Sequence, residues 1–416
     1  MAGTRIPITP VVASVSIAAL SLIFWRTPAF DPTAWLIWGR QLTEGTLHTV
    51  GGPSWKPLPV LVTTPFALAG REGAEVLWLL VSRSAGLLAL PAAAVLARRL
   101  GGRGWIAAGT LALANGFLYD ALRGDAEGLL VLLALLAVLA DVDGHPRRAL
   151  LLGGAAALIR PELATAVTAY GLWRRDPLVV VVGIVLVAAW TVPERLASGM
   201  WLGAATRAQH PAPGTPGQSA FPLGFSLAGL LIAAPWLALA GAVVAVRRDR
   251  GLRPLAILAG GLALLVAVMA EFGFTGTLRY LAVPVALGCV LGGVGLPVLA
   301  ARLPRPALAA LAVVSVVPFA VLFAHNLGRL ATYQRVYGDE LPRALAVAPR
   351  CGPVGANHFA RQEIAWRLHL RQDQIRLGID STAATVWALE GTGAAAAPQP
   401  PGRARVGAWL VRSRCQ

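Results

Sequence analysis

Charged side chains are scarce in this sequence. Asp, Glu, Lys and Arg together make up 13% of its 416 residues, whereas soluble domains have about a quarter. The mean hydropathy is +0.65, and the apolar residues fall in long runs. This composition excludes an ordinary soluble protein and predicts a polytopic helical membrane protein.

Lysine and cysteine are also rare. Lys56 is the only lysine among 36 basic residues, and three cysteines are too few for a disulfide scaffold. The net charge of +16 does not indicate nucleic-acid binding, because the arginines lie in short clusters between apolar runs, as they do at the cytoplasmic ends of membrane helices. We therefore predict a plasma-membrane protein whose partner is the lipid bilayer. The clusters are Arg98, Arg99 and Arg103; Arg147 and Arg148; Arg174 and Arg175; Arg247, Arg248, Arg250 and Arg253; Arg302 and Arg305.

Placing these clusters in the cytoplasm predicts eleven membrane helices, with the N-terminus inside and the C-terminus outside. The first segment has no small-x-small cleavage site and is predicted to be a retained anchor. The segment 149–173 is too short for two crossings of about 20 residues each, so we predict a short hairpin that turns at Arg160-Pro161-Glu162. The helices are predicted at 10–25, 75–97, 104–119, 127–141, two within 149–173, 177–193, 225–246, 254–270, 280–300 and 306–325.

This topology places four polar connections outside the membrane: 26–74, 120–126, 194–224 and 271–279. We predict an amphipathic helix at 32–43 in the first connection and a lid in the Pro- and Gly-rich third one. Residues 326–416 alternate short strand patterns with one helical pattern, HFARQEIAWRLHL. They predict a small α/β domain outside the membrane, following a membrane domain of residues 1–325.

An acidic residue, Asp31, follows the first apolar segment in FDPTAWLIWGR. Because Asp31 precedes Pro32, it could simply cap a helix. Alternatively, it is a general base that faces the outer leaflet. Trp35 and Trp38 follow it, and they either anchor the chain to the interface or stack on a sugar.

A second acidic cluster lies in the loop YDALRGDAEG, where Asp120, Asp125 and Glu127 surround Arg123. Asp125 and Glu127 could only complement the dipole of the following helix. Three acids exceed what a cap requires, so we expect them to organise a site. Asp125 and Glu127 are candidate ligands for a divalent cation (Mg, Mn or Ca), and Arg123 could orient a phosphate.

Three further cations are predicted to lie near the same outer side. Lys56 stands in PSWKPLP, Arg160 in the hairpin turn, and Arg279 in TLRY. Arg160 could instead pair with Glu162, and Arg279 could extend to the lipid headgroups. Taken together, they predict a phosphate site, because a leaving phosphate requires cationic stabilisation in a dry environment.

The order of these motifs resembles the GT-C superfamily of integral-membrane glycosyltransferases. This superfamily includes protein O-mannosyltransferases, lipid A aminoarabinose transferases, and actinobacterial arabinosyl- and mannosyltransferases. The likeness covers residues 1–325 and is strongest over 26–175. Two features depart from the pattern: the first loop carries a lone Asp, and the tail is small. The motifs are FDPTAW, PSWKPLPVL, ARRLGG, YDALRGDAEGLL, AALIRPEL and TLRYLAVPVAL.

The resemblance implies an all-α, GT-C-like membrane fold and a hexosyl- or pentosyltransferase. Its donor would be a polyprenyl-phosphate-linked sugar, and its acceptor an envelope glycan, glycolipid or protein outside the cytoplasm. Transfer would invert the anomeric centre, with Asp31 as base and with Asp125 and Glu127 as organisers. Two alternatives remain open: a transporter or flippase of a lipid-linked substrate, which predicts ionisable groups near the bilayer midplane, and a non-catalytic assembly partner.

Cys351 and Cys415 are predicted to form a disulfide that joins the first and last strands of the tail, because the outside is oxidising. Closing so long a loop would stabilise the tail by roughly 4 kcal/mol. We therefore expect neither thiol to react with maleimide until the protein is reduced. Labelling without reduction would contradict the disulfide.

Overall fold

A computed structural model describes residues 8–210, 214–348, 352–377, 383–392, 395 and 402–414. Helices form most of it, and a small sheet follows them. The helices are α1 Ile8–Ser21, α2 Phe30–Thr43, α3 Pro57–Phe66, α4 Gly70–Arg99, α5 Gly104–Leu113, α6 Phe117–Leu122, α7 Glu127–Val142, α8 Pro146–Ala157, α9 Leu163–Arg174, α10 Leu178–Ser198, α11 Gly203–Ala208, α12 Pro222–Ala233, α13 Trp236–Arg248, α14 Arg253–Glu271, α15 Ala282–Ala300, α16 Arg305–Tyr333, α17 Leu341–Val347 and α18 Arg361–Arg367.

Five helical stretches in the described ranges are long and apolar enough to cross a membrane. The predicted count of eleven therefore stays a prediction. The predicted segment 225–246 is wrong as one straight helix: it is α12 and α13, which are bent by 100°. Pro235 lies at the break, where it lacks an N–H and holds Ala234 in extended backbone. The five stretches are Pro57–Arg99, Leu178–Ser198, Arg250–Glu271, Leu278–Ala300 and Arg305–Val347.

The predicted segment 104–119 is also interrupted. It consists of α5 and α6, which are separated at Gly116, where φ is 87°. Most L-residues avoid this left-handed conformation, so glycine permits the turn. In contrast, the predicted hairpin within 149–173 is present, because α8 ends at Ala157 and α9 begins at Leu163.

Several arginine clusters lie at one end of the helices, which we call the arginine-rich face. Arg99 Nη1 lies 3.5 Å from Asp143 Oδ1, and Arg147 Nε lies 3.1 Å from Asp176 Oδ2. These ion pairs join the ends of α4, α7, α8 and α9. Leu252, beside the clusters of α13 and α14, shares a hydrophobic group with Leu100 at the end of α4.

Helix α2 occupies the predicted position but not the predicted environment. Eleven of its 14 residues are buried, so the helix packs inside the protein and does not expose a polar face along its length. Helices α3 and α4 contact it on one side, and α18 of the tail contacts it on another. Its side chains are therefore held on several faces, which fixes the direction in which its N-terminus points.

The tail contains the predicted helix, α18, and the predicted strands. The strands are β1 Val354–Ala356, β2 Ile375–Leu377, β3 Thr385–Leu389, β4 Gly402–Val406 and β5 Trp409–Ser413. They form one sheet in the order β2-β1-β3-β5-β4, in which β1 is parallel to β2 and β3 and the other pairs are antiparallel. Strands β3 and β4 were not predicted, and the chain turns at Gly407 between β4 and β5, where a single closing strand was expected. Cys351 and Cys415, and hence the predicted disulfide, lie outside the described residues.

The tail is bound directly to the helical part. Helix α16 continues past the predicted boundary at 325, to Tyr333. Thr33 Oγ1 of α2 donates to Glu363 Oε1 at 2.6 Å, and Arg40 Nη2 donates to the Leu370 carbonyl at 2.9 Å. Two side chains of α2, those of Thr33 and Arg40, are thus held by residues of the tail.

Glu363 should make the stability of this junction depend on pH. Burial raises the pKa of Glu363 to about 7 from 4.5, although Arg367 and Thr33 act in the opposite direction. The folded protein therefore binds this proton more tightly, and its free energy of unfolding falls as pH rises from about 4.5 to 7. We expect Glu363→Gln to raise stability at pH 8 by up to about 3 kcal/mol, and far less at pH 4.5.

Thermal unfolding of the detergent-solubilised protein at the two pH values checks this prediction. Glu72, whose side chain is 87% exposed, offers the control variant Glu72→Gln, which should change stability equally at both. A difference for Glu363→Gln that does not depend on pH would contradict the raised pKa.

Candidate active site

Seven of the charged residues predicted from separate stretches meet in one place, which we call the charged cluster. They come from the start of α2, the residue before α3, the loop between α6 and α7, the hairpin turn before α9, and the segment before α15. The cluster consists of Asp31, Lys56, Arg123, Asp125, Glu127, Arg160 and Arg279.

Asp31 binds cations and does not cap α2. The helix begins at Phe30 after Ala29, and no side-chain cap is present, so the capping interpretation is wrong. Asp31 Oδ2 lies 2.9 Å from Arg279 Nη1 and 3.8 Å from Lys56 Nζ. The Ala29 N–H donates to the Arg123 carbonyl at 2.8 Å, which fixes the start of α2 against the second acidic loop.

The same arginine also reaches the second acidic loop. Arg279 Nη1 lies 3.8 Å from Asp125 Oδ1, and Arg123 Nε lies 3.7 Å from Asp125 Oδ2. Helix α4 holds this loop, because Trp78 Nε1 donates to the Gly124 carbonyl at 2.8 Å and Ser82 Oγ to the Asp125 carbonyl at 2.7 Å. Arg279 therefore joins the two acidic clusters that are far apart in sequence.

Glu127 and Arg160 form a buried ion pair and hydrogen bond. The predicted alternative, a pair between Arg160 and Glu162, is wrong, because the Arg160 side chain extends to the start of α7. Tyr280 packs against the guanidinium, with its ring centroid 3.8 Å from Arg160 Cζ. An acid, a cation and an aromatic ring from three elements therefore fix one another.

Lys56 is almost fully buried, with 6% of its surface exposed. Its Nζ lies 4.9 Å from the centroid of the Trp35 ring, which packs edge-on against Trp78. Trp38 packs against Trp55, and both Trp35 and Trp38 are completely buried. The structure thus places both predicted sugar-contacting tryptophans in the core, where Trp35 positions Lys56.

Three tyrosines, Tyr119, Tyr280 and Tyr333, belong to this region and were not among the predicted site residues. Tyr280 could have been found from its place beside Arg279. Tyr333 gave no signal, because it lies at the end of α16, in the predicted tail. Arg123 Cζ is 6.0 Å from the centroid of the Tyr333 ring and 5.0 Å from that of Tyr119. Asp120 lies nearby, on α6, and its carbonyl accepts from the Asp125 N–H at 2.9 Å.

The divalent-cation site predicted at Asp125 and Glu127 stays a prediction. Within the described ranges there is no group of three His, Cys, Asp or Glu residues that could hold a metal ion. Glu127 faces Arg160, and Asp125 faces Arg123 and Arg279. These guanidinium groups would compete with a divalent ion for the two carboxylates.

The electrostatics of the cluster favour an anion. Burial acts to raise the pKa of Asp31, but Arg279 and Lys56 outweigh it and hold this pKa at about 2. Several buried polar atoms have no hydrogen-bond partner in the protein. They include the donors Lys56 Nζ, Arg123 Nε and Arg160 Nε, and also both carboxylate oxygens of Asp125. Unpaired donors are costly to bury, so these three are suited to binding a phosphate.

No protein-family model matches, and no curated sequence gives a significant match. The chain does have a known polytopic membrane fold, which two solved structures share. They are structures of ArnT from Cupriavidus metallidurans in the apo state, with a TM-score of 0.64, and bound to undecaprenyl phosphate, with a TM-score of 0.62.

Both comparisons are 16% identical and cover 97% of this chain and 97% of ArnT. The predicted polytopic membrane fold is therefore confirmed as an ArnT-like fold. At this identity the likeness concerns the fold and does not by itself assign an activity.

The Glu127–Arg160 pair gives a prediction about stability. Removing one partner of a buried pair strands a charge and costs about 3–5 kcal/mol. We expect Glu127→Gln and Arg160→Met each to lower the unfolding temperature, and the double variant to lose less than the sum. A double-mutant cycle in detergent measures this coupling. The exposed Arg405–Glu390 pair is the control, and additive losses at 127 and 160 would contradict a coupled pair.

Proposed function

We propose that this protein is a membrane glycosyltransferase that moves a sugar from a polyprenyl-phosphate donor to an envelope glycan, glycolipid or protein acceptor. The observation that carries the proposal is a buried carboxylate, Asp31, placed between two cations, Lys56 and Arg279. The fold is that of ArnT, one structure of which contains undecaprenyl phosphate. A lipid-linked phosphate donor suits both facts.

The cations of the cluster would bind the phosphate of the donor. Lys56 and Arg160 are at least nine-tenths buried, and each has a nitrogen without a protein hydrogen-bond partner. Arg279 adds a third positive group beside them. Negative charge grows on the phosphate as the glycosidic bond breaks, and preorganised cations in a dry site stabilise that charge more strongly than water does.

Asp31 would act as the general base. An acceptor hydroxyl gives its proton to Asp31 while its oxygen bonds to the anomeric carbon. The bond from that carbon to the phosphate oxygen breaks, and its electron pair leaves with the polyprenyl phosphate. A single displacement of this kind inverts the anomeric centre. No acid is needed for the leaving group, unlike in a glycosidase.

The donor would also prepare the base. In the structure Arg279 lies 2.9 Å from Asp31, and this contact helps to keep the pKa of Asp31 at about 2. A carboxylate so stabilised is a weak base. A bound phosphate competes for Arg279 and Lys56, which raises the pKa of Asp31 when donor is present.

The remaining acids would organise the cations and take no direct part in the chemistry. Glu127 fixes Arg160, and Asp125 lies between Arg123 and Arg279. Positioning of this kind matters because a reacting group must be held close to its productive geometry. Asp120 would contribute through the loop that it shares with Asp125.

Asp31→Asn tests the proposal. Loss of a general base lowers rates by roughly 10²–10⁴-fold, so a complemented deletion strain should make little product while the variant folds normally. Mass spectrometry of envelope glycans and glycolipids measures the product. Asp249→Asn is the matched control, because Asp249 lies at the arginine-rich face, bonded to Gly251 N–H.

Two outcomes would contradict the proposal. Unchanged product with Asp31→Asn removes Asp31 as the base. If the deletion strain shows no change in any envelope glycan, glycolipid or glycoprotein, the transferase proposal is wrong, and a lipid transporter or an assembly partner takes its place.

A further inference from the structure

A second feature lies between α7, α8, α9, α14 and α15. It is a cavity of about 410 Å³, which we call the inner groove. Its walls are aliphatic, and the polar side chains among its lining residues are Asp141 and Tyr170, with the indole of Trp173. Asp141 is 14 residues beyond Glu127 on α7, or roughly 21 Å along the helix axis.

The inner groove opens at the arginine-rich face. Its exposed lining residues all lie there: Val142, Trp173, Gly251 and Pro254. The lining residues nearest to the charged cluster, Leu163 and Val283, are buried. A ligand would therefore enter from the arginine-rich face and point its apolar part into the bilayer interior.

The rim of the groove carries excess positive charge. Arg148, Arg175, Arg250 and Arg253 are exposed. Each lies within two residues of a lining residue in the sequence. Among the described residues, none of the four forms an ion pair with a carboxylate. The ligand that fits such a rim is negatively charged at its head.

The acids at this end are already engaged. Asp141 pairs with Arg174 and accepts from Tyr170, and Asp143 pairs with Arg99. Asp176 pairs with Arg147, while Asp249 accepts from the Gly251 N–H. They therefore offset the four rim arginines only weakly.

We propose that the inner groove binds one acyl chain of an anionic phospholipid whose headgroup lies on the rim arginines. A membrane surrounds this part of the chain, and basic pockets between membrane helices bind anionic headgroups. The occupant is not the tail of the proposed donor, because the groove opens away from the charged cluster. The site is independent of the proposed function.

The first experiment compares two lipids on the full-length protein. Phosphatidylglycerol and phosphatidylcholine with identical acyl chains are added to the delipidated protein in detergent, and native mass spectrometry and thermal unfolding are recorded. We expect one retained phosphatidylglycerol and a larger rise in unfolding temperature with phosphatidylglycerol. Equal effects of the two lipids would overturn the proposal.

Two pairs of variants locate the site. Ala137→Phe fills the groove and should abolish retention, whereas Ala188→Phe, on the exposed side of α10, should not. Arg250→Gln with Arg253→Gln should weaken phosphatidylglycerol binding roughly tenfold or more. Arg302→Gln with Arg305→Gln removes the same charge away from the groove and should leave binding unchanged.

Three results would contradict the location or the ligand. One is full retention of lipid by Ala137→Phe, and another is equal weakening by both arginine pairs. The third is a retained polyprenyl phosphate in place of phospholipid. If Ala137→Phe does not fold, the arginine pairs and the comparison of lipids on the unmodified protein still decide.

Discussion

The position of one guanidinium, that of Arg279, is the constraint on which the candidate active site depends. Its Nη1 lies between Asp31 Oδ2 and Asp125 Oδ1, although Asp31 begins α2 and Asp125 lies in a loop nearly a hundred residues further along the chain. Two buried carboxylates repel each other and lose hydration, so Asp31 and Asp125 can lie close together only if they share a cation. The same contact keeps Asp31 ionised and defines where a competing phosphate would bind.

The rest of the fold supports this contact from several directions. Helix α4 holds the loop of Asp125 through Trp78 and Ser82. The tail holds α2 through Glu363 and Leu370, since Thr33 and Arg40 donate to them. A tail that is separate in sequence thus acts on the geometry of Asp31, because it contacts the helix that begins there.

The two ends of the helices use charge differently. Around Arg279, four cations face three buried acids, which suits a site that binds an anionic substrate and moves a proton. At the arginine-rich face, exposed cations exceed the acids that neutralise them. That imbalance suits the surface of a membrane and, at the inner groove, the headgroup of a lipid.

The sequence by itself determined the membrane class, the hairpin at Arg160 and the candidate charged residues, because scarce charges beside apolar runs are costly and conspicuous. Periodicity did not reveal the sharp bend at Pro235, and it did not reveal strands β3 and β4. Only the tertiary structure decided the partners: Arg160 with Glu127 and not Glu162, and Trp35 beneath Lys56. Such pairings depend on which helix ends meet in space, and no local pattern contains that information.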